Sequence, residues 1–161
     1  MADAAVVNSS PLICLSRAGL VHLLRQAAST IVVPAAVARE IRARGPHDVT
    51  AATLTRCDWL EQADPIPIPP AVLAWDLGDG ESSVIAWALA HPGARAIIDD
   101  LQGRRCAESI GVPLRGTVGL VLRARRAGLI DSARDALERL RQAGMYLSDR
   151  ICAEVLKEVG E

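Results

Sequence analysis

Aromatic residues are scarce in this sequence: they make up 2% of the 161 residues, and phenylalanine is absent. Proteins that bind single-stranded nucleic acid through its bases present several such rings. A base-stacking surface of that kind is therefore excluded, and any contact with nucleic acid must be mainly ionic. Lysine is also rare, because Lys157 is the single lysine among 18 basic residues. The others are arginines, whose forked donors fit phosphate oxygens.

Groupings of residues that bind transition metals are missing as well. The four cysteines lie far apart, at positions 14, 57, 106 and 152, and the three histidines are isolated. These spacings exclude a zinc knuckle and a disulfide-stapled secreted scaffold. The segment 78–83 lacks the last glycine of a dinucleotide-binding fingerprint, and the sequence contains no P-loop motif. We therefore expect no nucleotide cofactor.

Long hydrophobic runs and a strong charge of one sign are absent too. No apolar run approaches the roughly 20 residues of a spanning helix, and the first residues, Met1-Ala2-Asp3, carry no basic region, so we expect no membrane segment and no secretory signal. The net charge of −1 gives no long-range attraction to nucleic acid or membrane. The length suits one domain, residues 1–161, and we expect a cytoplasmic protein.

Short apolar runs alternate with helical patterns along the chain. Strands are predicted at 4–7, 31–33, 58–62, 94–98 and 112–114. Helices are predicted near 11–19, 20–27, 34–44, 81–90, 103–110, 117–127, 131–143 and 148–159, with Asp79 and Thr117 as helix caps, whereas 49–56 is ambiguous. Parallel strands need crossover connections, and these cover the sheet. The pattern predicts an α/β fold: a parallel twisted sheet of about four to five strands with helices on both faces and extra C-terminal helices.

Polar side chains follow two of the predicted strands. Asn8 follows the first strand, and Asp99 and Asp100 follow a later one. The carboxyl ends of parallel strands share one edge of the sheet, where ligands bind. Glu81 lies four residues before Ile85 on the core-facing stripe of its helix, so it should point inward near the same edge. Carboxylates buried together need a cation to relieve their repulsion, and hard oxygen donors favour Mg²⁺ or Mn²⁺.

A second interpretation of these acids needs no metal. An aspartate after a strand often only caps the next helix, and a glutamate in a first helical turn often only complements the helix dipole. Glu40 is followed by Arg44 four residues later, so an exposed ion pair accounts for it. The spacing alone leaves both interpretations open.

Five sequence blocks occur in order along nearly the whole chain. They are Val7-Asn8-Ser9-Ser10-Pro11-Leu12-Ile13, Val33-Pro34 followed by Glu40-Ile41, Leu77-Gly78-Asp79-Gly80-Glu81, Ile97-Ile98-Asp99-Asp100 followed by Arg104-Arg105, and Gly116-Thr117-Val118-Gly119. Through these blocks the chain resembles the PIN-domain proteins. It is most similar to an uncharacterised branch of predicted nucleic-acid-binding proteins related to VapC-like toxins.

The resemblance implies a Mg²⁺- or Mn²⁺-dependent endoribonuclease of the VapC-like toxin type, in which metal-activated water hydrolyses RNA and a small antitoxin-like protein is the partner. The implied catalytic acids are Glu40, Glu81, Asp99 and Asp100. The implied metal ligands are Asn8, Glu40, Glu81 and Asp100. The residues expected to contact RNA are Ser10, Arg104, Arg105 and Arg115.

Asn8 departs from the family pattern, because nuclease members usually have aspartate there. An amide oxygen still coordinates a hard cation, but it brings one fewer negative charge, so metal affinity should fall. The alternative function is therefore a catalytically weak or inactive PIN-like module that binds RNA or a protein. The apolar faces of the helices near 118–122 and 151–159 either cover the sheet or support a homodimer.

Overall fold

Five parallel strands form one sheet in the computed structural model, which describes residues 2–161. The strands are β1 (Ala2–Val7), β2 (Ala28–Pro34), β3 (Leu60–Ala63), β4 (Arg95–Ile97) and β5 (Leu114–Arg115). Their spatial order is β3-β2-β1-β4-β5, and every neighbouring pair is parallel. The predicted α/β fold, the number of strands and their direction are confirmed.

Helices connect the strands and follow the last one. They are α1 (Ser9–Arg17), α2 (Ala35–Arg42), α3 (Val49–Arg56), α4 (Pro70–Leu73), α5 (Asp79–Ala90), α6 (Leu101–Ser109), α7 (Thr117–Arg126), α8 (Ala133–Gln142) and α9 (Asp149–Glu158). The predicted helix at 20–27 is a 3₁₀ helix, Val21–Gln26. Every helix among residues 2–161 is too short or too polar to span a lipid bilayer.

The direction in which the chain adds strands reverses at β1. Strands β2 and β3 lie on one side of β1, whereas β4 and β5 lie on the other. The crossover from β3 to β4 contains α5, which packs on β1, β2 and β4 and also contacts α2 of the first half. The reversal leaves a crevice at the carboxyl ends of β1 and β4, where open α/β sheets bind ligands.

The core lies on both faces of the central strands. Consecutive residues of β1, from Ala5 to Val7, are fully buried, as expected for a parallel strand covered by helices on each side. Leu120 of α7 and Val155 of α9 are also buried, so part of the apolar face of each of these C-terminal helices packs in the hydrophobic core. Ile151, at the start of α9, remains 43% exposed.

Several element boundaries differ from the sequence-based prediction. Helix α1 begins at Ser9 rather than Pro11, because the chain already turns after the extended N-cap residue Asn8. Pro34 ends β2 and precedes α2 instead of opening it. The ambiguous segment 49–56 is helical, since the carboxylate of the preceding aspartate accepts two backbone N–H hydrogen bonds and caps it.

Two predicted helix caps are wrong. Asp79 is the first residue of α5 rather than its N-cap, and Thr117 is the first residue of α7. Gly78 and Gly116 occupy the two N-cap positions. Glycine has no side chain with which to cap a helix, so carboxylates from other positions satisfy these N–H groups, as described below.

Candidate active site

The carboxyl ends of β1 and β4 meet where the strand order reverses. Asn8 directly follows β1, and its N–H donates a hydrogen bond to the carbonyl of Ile97, the last residue of β4, with an N–O distance of 3.1 Å. Asp99 and Asp100 follow β4 along the same edge. The topology therefore brings together polar residues that are about ninety positions apart in the sequence.

A first group of oxygen atoms surrounds Gly80 in the first turn of α5. Glu40 Oε2 lies 3.1 Å, and Asn8 Oδ1 lies 3.5 Å, from the position that a Cβ on Gly80 would occupy. The Ser9 hydroxyl donates a hydrogen bond to the same Glu40 oxygen over 2.8 Å. Asn8 is only 3% exposed, and its side chain does not cap α1. Its amide is thus held beside the Glu40 carboxylate.

Glu40 is not paired with Arg44. The Arg44 guanidinium binds Asp48 instead, with an Nε–Oδ2 distance of 3.0 Å. The exposed ion pair offered as an explanation of Glu40 is therefore wrong. The Glu40 carboxylate instead accepts a hydrogen bond from Ser9, the first residue of α1.

Two further acids of the site, Asp100 and Glu81, meet at Gly103 in α6. Asp100 Oδ2 lies 3.6 Å, and Glu81 Cγ lies 3.8 Å, from the position of a Cβ on Gly103, so the two acids are well within a nanometre of each other. Each also caps a helix: Asp100 Oδ2 accepts a hydrogen bond from the N–H of Gly103, and Glu81 Oε2 accepts one from the N–H of Gly78. Each cap uses one oxygen of its carboxylate, so capping and metal binding are compatible.

Asp99 is bound with both oxygens to the start of α7. Its Oδ1 accepts a hydrogen bond from the N–H of Thr117 over 2.8 Å, and its Oδ2 accepts one from the Thr117 hydroxyl over 2.6 Å. Nearby, Arg104 Nη1 donates to the Ile98 carbonyl. A Cβ on Gly116 would lie 3.0 Å from Arg104 Nη1 and 3.1 Å from Asp99 Oδ1, so only glycine fits between them without displacement.

Two adjoining cavities open along this edge. The first, which we call the acidic cavity, has a volume of about 440 Å³ and is lined by three predicted metal ligands, Asn8, Glu40 and Glu81. The second, which we call the arginine cavity, has a volume of about 790 Å³, and its wall includes Asp99, Asp100, Arg104, Arg115 and the segment 144–147 between α8 and α9. Ser10 lines both cavities.

Two of the three arginines expected to contact RNA reach the arginine cavity. Arg104 and Arg115 line it, whereas Arg105 is exposed on α6 and lines neither cavity. The buried Nε of Arg115 has no hydrogen-bond partner among the described residues. Burial, together with the nearby charges of Arg95 and Arg123, lowers the pKa of the Arg115 guanidinium from its usual value. An anion entering this cavity would relieve that repulsion.

Three residues of the site were not predicted from the sequence. The Ser9 hydroxyl donates to Glu40. Thr117 binds Asp99 across 18 positions of sequence. Tyr146 lines the arginine cavity. The first two lie inside the sequence blocks described above, but the segment that contains Tyr146 shows only a break between two helices.

The donor set fits Mg²⁺ or Mn²⁺ in chemical kind without forming a closed shell. Its atoms are carboxylate and amide oxygens, which hard cations prefer. Among residues 2–161, however, no three His, Cys, Asp or Glu side chains group closely enough to hold one ion. The donors are instead divided between the groups around Gly80 and Gly103. Mg²⁺ commonly keeps several waters and uses one or two carboxylates, so Glu40 and Glu81 in the acidic cavity suit such an ion.

Comparison with known proteins identifies a family. A protein-family model described as "DUF3368: PIN domain" matches residues 4–161. The match runs from β1 to the end of α9 and includes every site residue described above. No curated protein matches the chain significantly.

Proposed function

The chain belongs to the PIN-domain family, whose fold is of the nuclease type, and from this premise we propose that it is a metal-dependent endoribonuclease of the VapC-like toxin type. The observation that carries the proposal is the convergence of oxygen donors at the reversal of strand order. Asn8, Glu40 and Glu81 line one cavity there, and Asp100 reaches Glu81 around Gly103.

In this proposal the acids hold the cation and the arginines hold the RNA. Glu40, Glu81 and Asn8 would bind Mg²⁺ or Mn²⁺, with Asp100 beside them. The bound ion would lower the pKa of water and offset negative charge on the phosphate. Arg104 and Arg115 would bind phosphate oxygens of the RNA, and the forked guanidinium suits that contact.

Asp99 and Ser10 have supporting roles in the same proposal. Asp99 acts as a positioning residue, because both of its oxygens already hold α7 next to Arg115 and Gly116. Ser10 lies between the two cavities, where its hydroxyl would meet the RNA backbone. From the resemblance to VapC-like toxins we also propose that the protein acts in the cytoplasm and that a small antitoxin-like protein inhibits its cleavage of RNA.

The test is cleavage of a labelled single-stranded RNA of mixed sequence in Mn²⁺, in Mg²⁺ and in EDTA. We expect cleavage with metal only, and a loss of roughly a hundredfold or more in Glu81→Gln and Asp100→Asn. Asparagine caps a helix as well as aspartate does, so Asp100→Asn should stay folded. His91→Ala is the control, because His91 is exposed and stacks on Trp87 outside both cavities.

Two results would refute the nuclease proposal. Cleavage that persists in EDTA would show that no metal is needed. Equal cleavage by wild type and by both Glu81→Gln and Asp100→Asn would show that these acids do not carry the reaction.

Asn8 supports a second candidate function, a binding module with little or no catalysis. The side chain is neutral where a carboxylate would strengthen metal binding, and it is held beside Glu40 by the fold itself. In that case the wild-type protein binds RNA or a protein without cleaving RNA. Creation of Mn²⁺-dependent cleavage by Asn8→Asp, in a protein that otherwise has none, would establish this function.

A further inference from the structure

The arginine cavity has a charged part and an apolar part. Among its charged lining residues, Arg104 and Arg115 supply positive charge and Asp99 and Asp100 supply negative charge. Asp99 is already bound through both oxygens to Thr117, whereas the buried Arg115 Nε is unpaired among the described residues. The apolar part is lined by Leu114, Val118, Met145, Tyr146 and Ile151. A purely apolar ligand would leave the Arg115 charge unmatched, which is unfavourable. The cavity therefore fits an anion that carries a flat apolar group.

Tyr146 is the one aromatic ring available in that cavity. It is the single tyrosine of the chain, and it is 91% exposed. Two of the tryptophans are already engaged: Trp87 stacks on His91 with 3.7 Å between ring centroids, and Trp59 lies 5.7 Å below the Arg25 guanidinium. An exposed ring at the wall of a cavity gains stability by stacking on a planar ligand.

The position of the cavity relates this ligand to the acids. Ser10 lines the arginine cavity and the acidic cavity alike, so the two cavities adjoin at this residue. The volume of about 790 Å³ lies in the range of pockets that hold small organic ligands. One nucleotide unit of a nucleic acid combines the required anion and planar ring.

We propose that the arginine cavity binds the nucleotide next to the scissile phosphate of single-stranded RNA, with its phosphate on Arg104 and Arg115 and its base stacked on Tyr146. The placement next to a scissile phosphate rests on the function proposed above. The binding of the nucleotide itself does not. A single stacking ring supplements the ionic contacts without forming the extended aromatic surface that the composition excludes.

Binding is measured without cleavage, by fluorescence anisotropy of a labelled hexauridylate in EDTA. Tyr146→Ala should weaken binding on the order of tenfold, whereas Tyr146→Phe should retain wild-type affinity because the ring remains. Trp75→Ala is the matched control, since Trp75 is 36% exposed and lies outside the cavity. A hexauridylate with one abasic position, moved along the strand, should at one position bind equally to wild type and Tyr146→Ala.

The phosphate contact has its own signature in the dependence of affinity on salt. Arg115→Met should reduce the slope of log K against log salt by about 0.7, the value for one phosphate contact on a single strand. Tyr146→Ala should leave that slope unchanged. Arg126→Met is the control, because Arg126 is exposed and pairs with Glu158.

Two outcomes overturn the inference. If neither Tyr146→Ala nor Arg115→Met changes the affinity for the hexauridylate, RNA does not bind in this cavity, and a protein partner becomes the alternative occupant. An equal loss on intact RNA and on every abasic RNA would exclude stacking. Cleavage assays separate this result from the proposed function: binding that depends on Tyr146 without any Mn²⁺-dependent cleavage retains the nucleotide site and refutes the nuclease.

Discussion

Asp99 and Thr117 are joined by two hydrogen bonds, one to the N–H and one to the hydroxyl of the threonine. The carboxylate therefore acts as the cap of α7, although it lies 18 residues earlier in the chain. Asp100, its neighbour, caps α6 through one oxygen and faces Glu81. Two adjacent aspartates thus have different partners, and their substitutions should have different effects.

We predict that Asp99→Ala acts mainly on stability and Asp100→Asn mainly on cleavage. Loss of the α7 cap should lower the free energy of unfolding by about 1–2 kcal/mol. Asp100→Asn should change it by less than about 0.5 kcal/mol, because asparagine keeps the α6 cap. Urea titrations followed by circular dichroism measure both values, and RNA cleavage is assayed on the same samples.

Thr117→Val is the control for the Asp99 prediction, because it removes the hydroxyl and keeps the volume of a fully buried side chain. It should destabilise the protein in the same direction as Asp99→Ala. A combined variant that loses the full sum of the two effects would show that the pair is not coupled. That result would contradict the capping role.

The fold could be predicted from the sequence because its strongest signals are local. The run Ala4 to Val7 is apolar without alternation, which is typical of a strand buried on both faces, and β1 is such a strand. Boundaries were less accurate because they depend on caps. The glycines at the N-cap positions, Gly78 and Gly116, do not show which carboxylates accept hydrogen bonds from the N–H groups at these helix starts. The carboxylate that binds the start of α7 belongs to Asp99, which follows a different strand.

The site was predictable only as far as topology fixes it. Parallel strands place Asn8 and Asp100 at one edge whatever the side chains do. The contacts between the side-chain oxygens depend on side-chain rotamers and on how closely the helices approach, as where Glu40 and Asn8 meet at Gly80. Rotamers and helix distances follow from tertiary packing. Tyr146 lies beyond such prediction, because the segment between α8 and α9 reaches the cavity only through the packing of two helices.

We predict that Asn8→Asp strengthens Mn²⁺ binding and lowers the stability of the metal-free protein. The new carboxylate would lie beside Glu40, since both side chains already meet at Gly80. Repulsion between them should lower the free energy of unfolding in EDTA by about 1–2 kcal/mol. Mn²⁺ affinity, measured by calorimetry, should rise about tenfold or more. Thermal melts in EDTA and in Mn²⁺ measure the change in stability.

The control is Gln142→Glu, which adds the same charge on the exposed end of α8. It should leave Mn²⁺ affinity unchanged. If wild-type protein already binds Mn²⁺ tightly, and Glu81→Ala abolishes that binding, Asn8 does not weaken the site.

We predict that Gly80→Ala reduces metal affinity and cleavage by about tenfold while the fold survives. A methyl group there would lie 3.1 Å from Glu40 Oε2, so the carboxylate must move. Alanine is favoured over glycine in a helix by roughly 0.5–1 kcal/mol, which offsets the crowding, and net stability should change by less than about 1 kcal/mol. Ser83→Ala on the same helix is the control. Unchanged Mn²⁺ affinity in Gly80→Ala would show that the Glu40 position is not required.

The last prediction concerns Glu161, whose side chain binds the N-terminus of α8. Its carboxylate accepts hydrogen bonds from the N–H groups of Ala133 and Arg134, and from Arg125 and Ser132. Led by the bond from Ala133, these contacts lower the pKa of Glu161 from 4.5 to about 2. The ionised form is thus the one that folding favours.

The pKa of Glu161 is lower in the folded protein than in the unfolded chain. Its ionised carboxylate therefore stabilises the folded state fully above pH 4.5, and this stabilisation is lost as the pH falls toward about 2. Glu161→Gln should therefore lower the urea midpoint at pH 7, and the difference from wild type should shrink below pH 4.5. Glu158→Gln is the control, since its pair with Arg126 is half exposed and should contribute little. A difference that stays constant from pH 7 to pH 2 would mean that Glu161 acts through packing rather than through its charge.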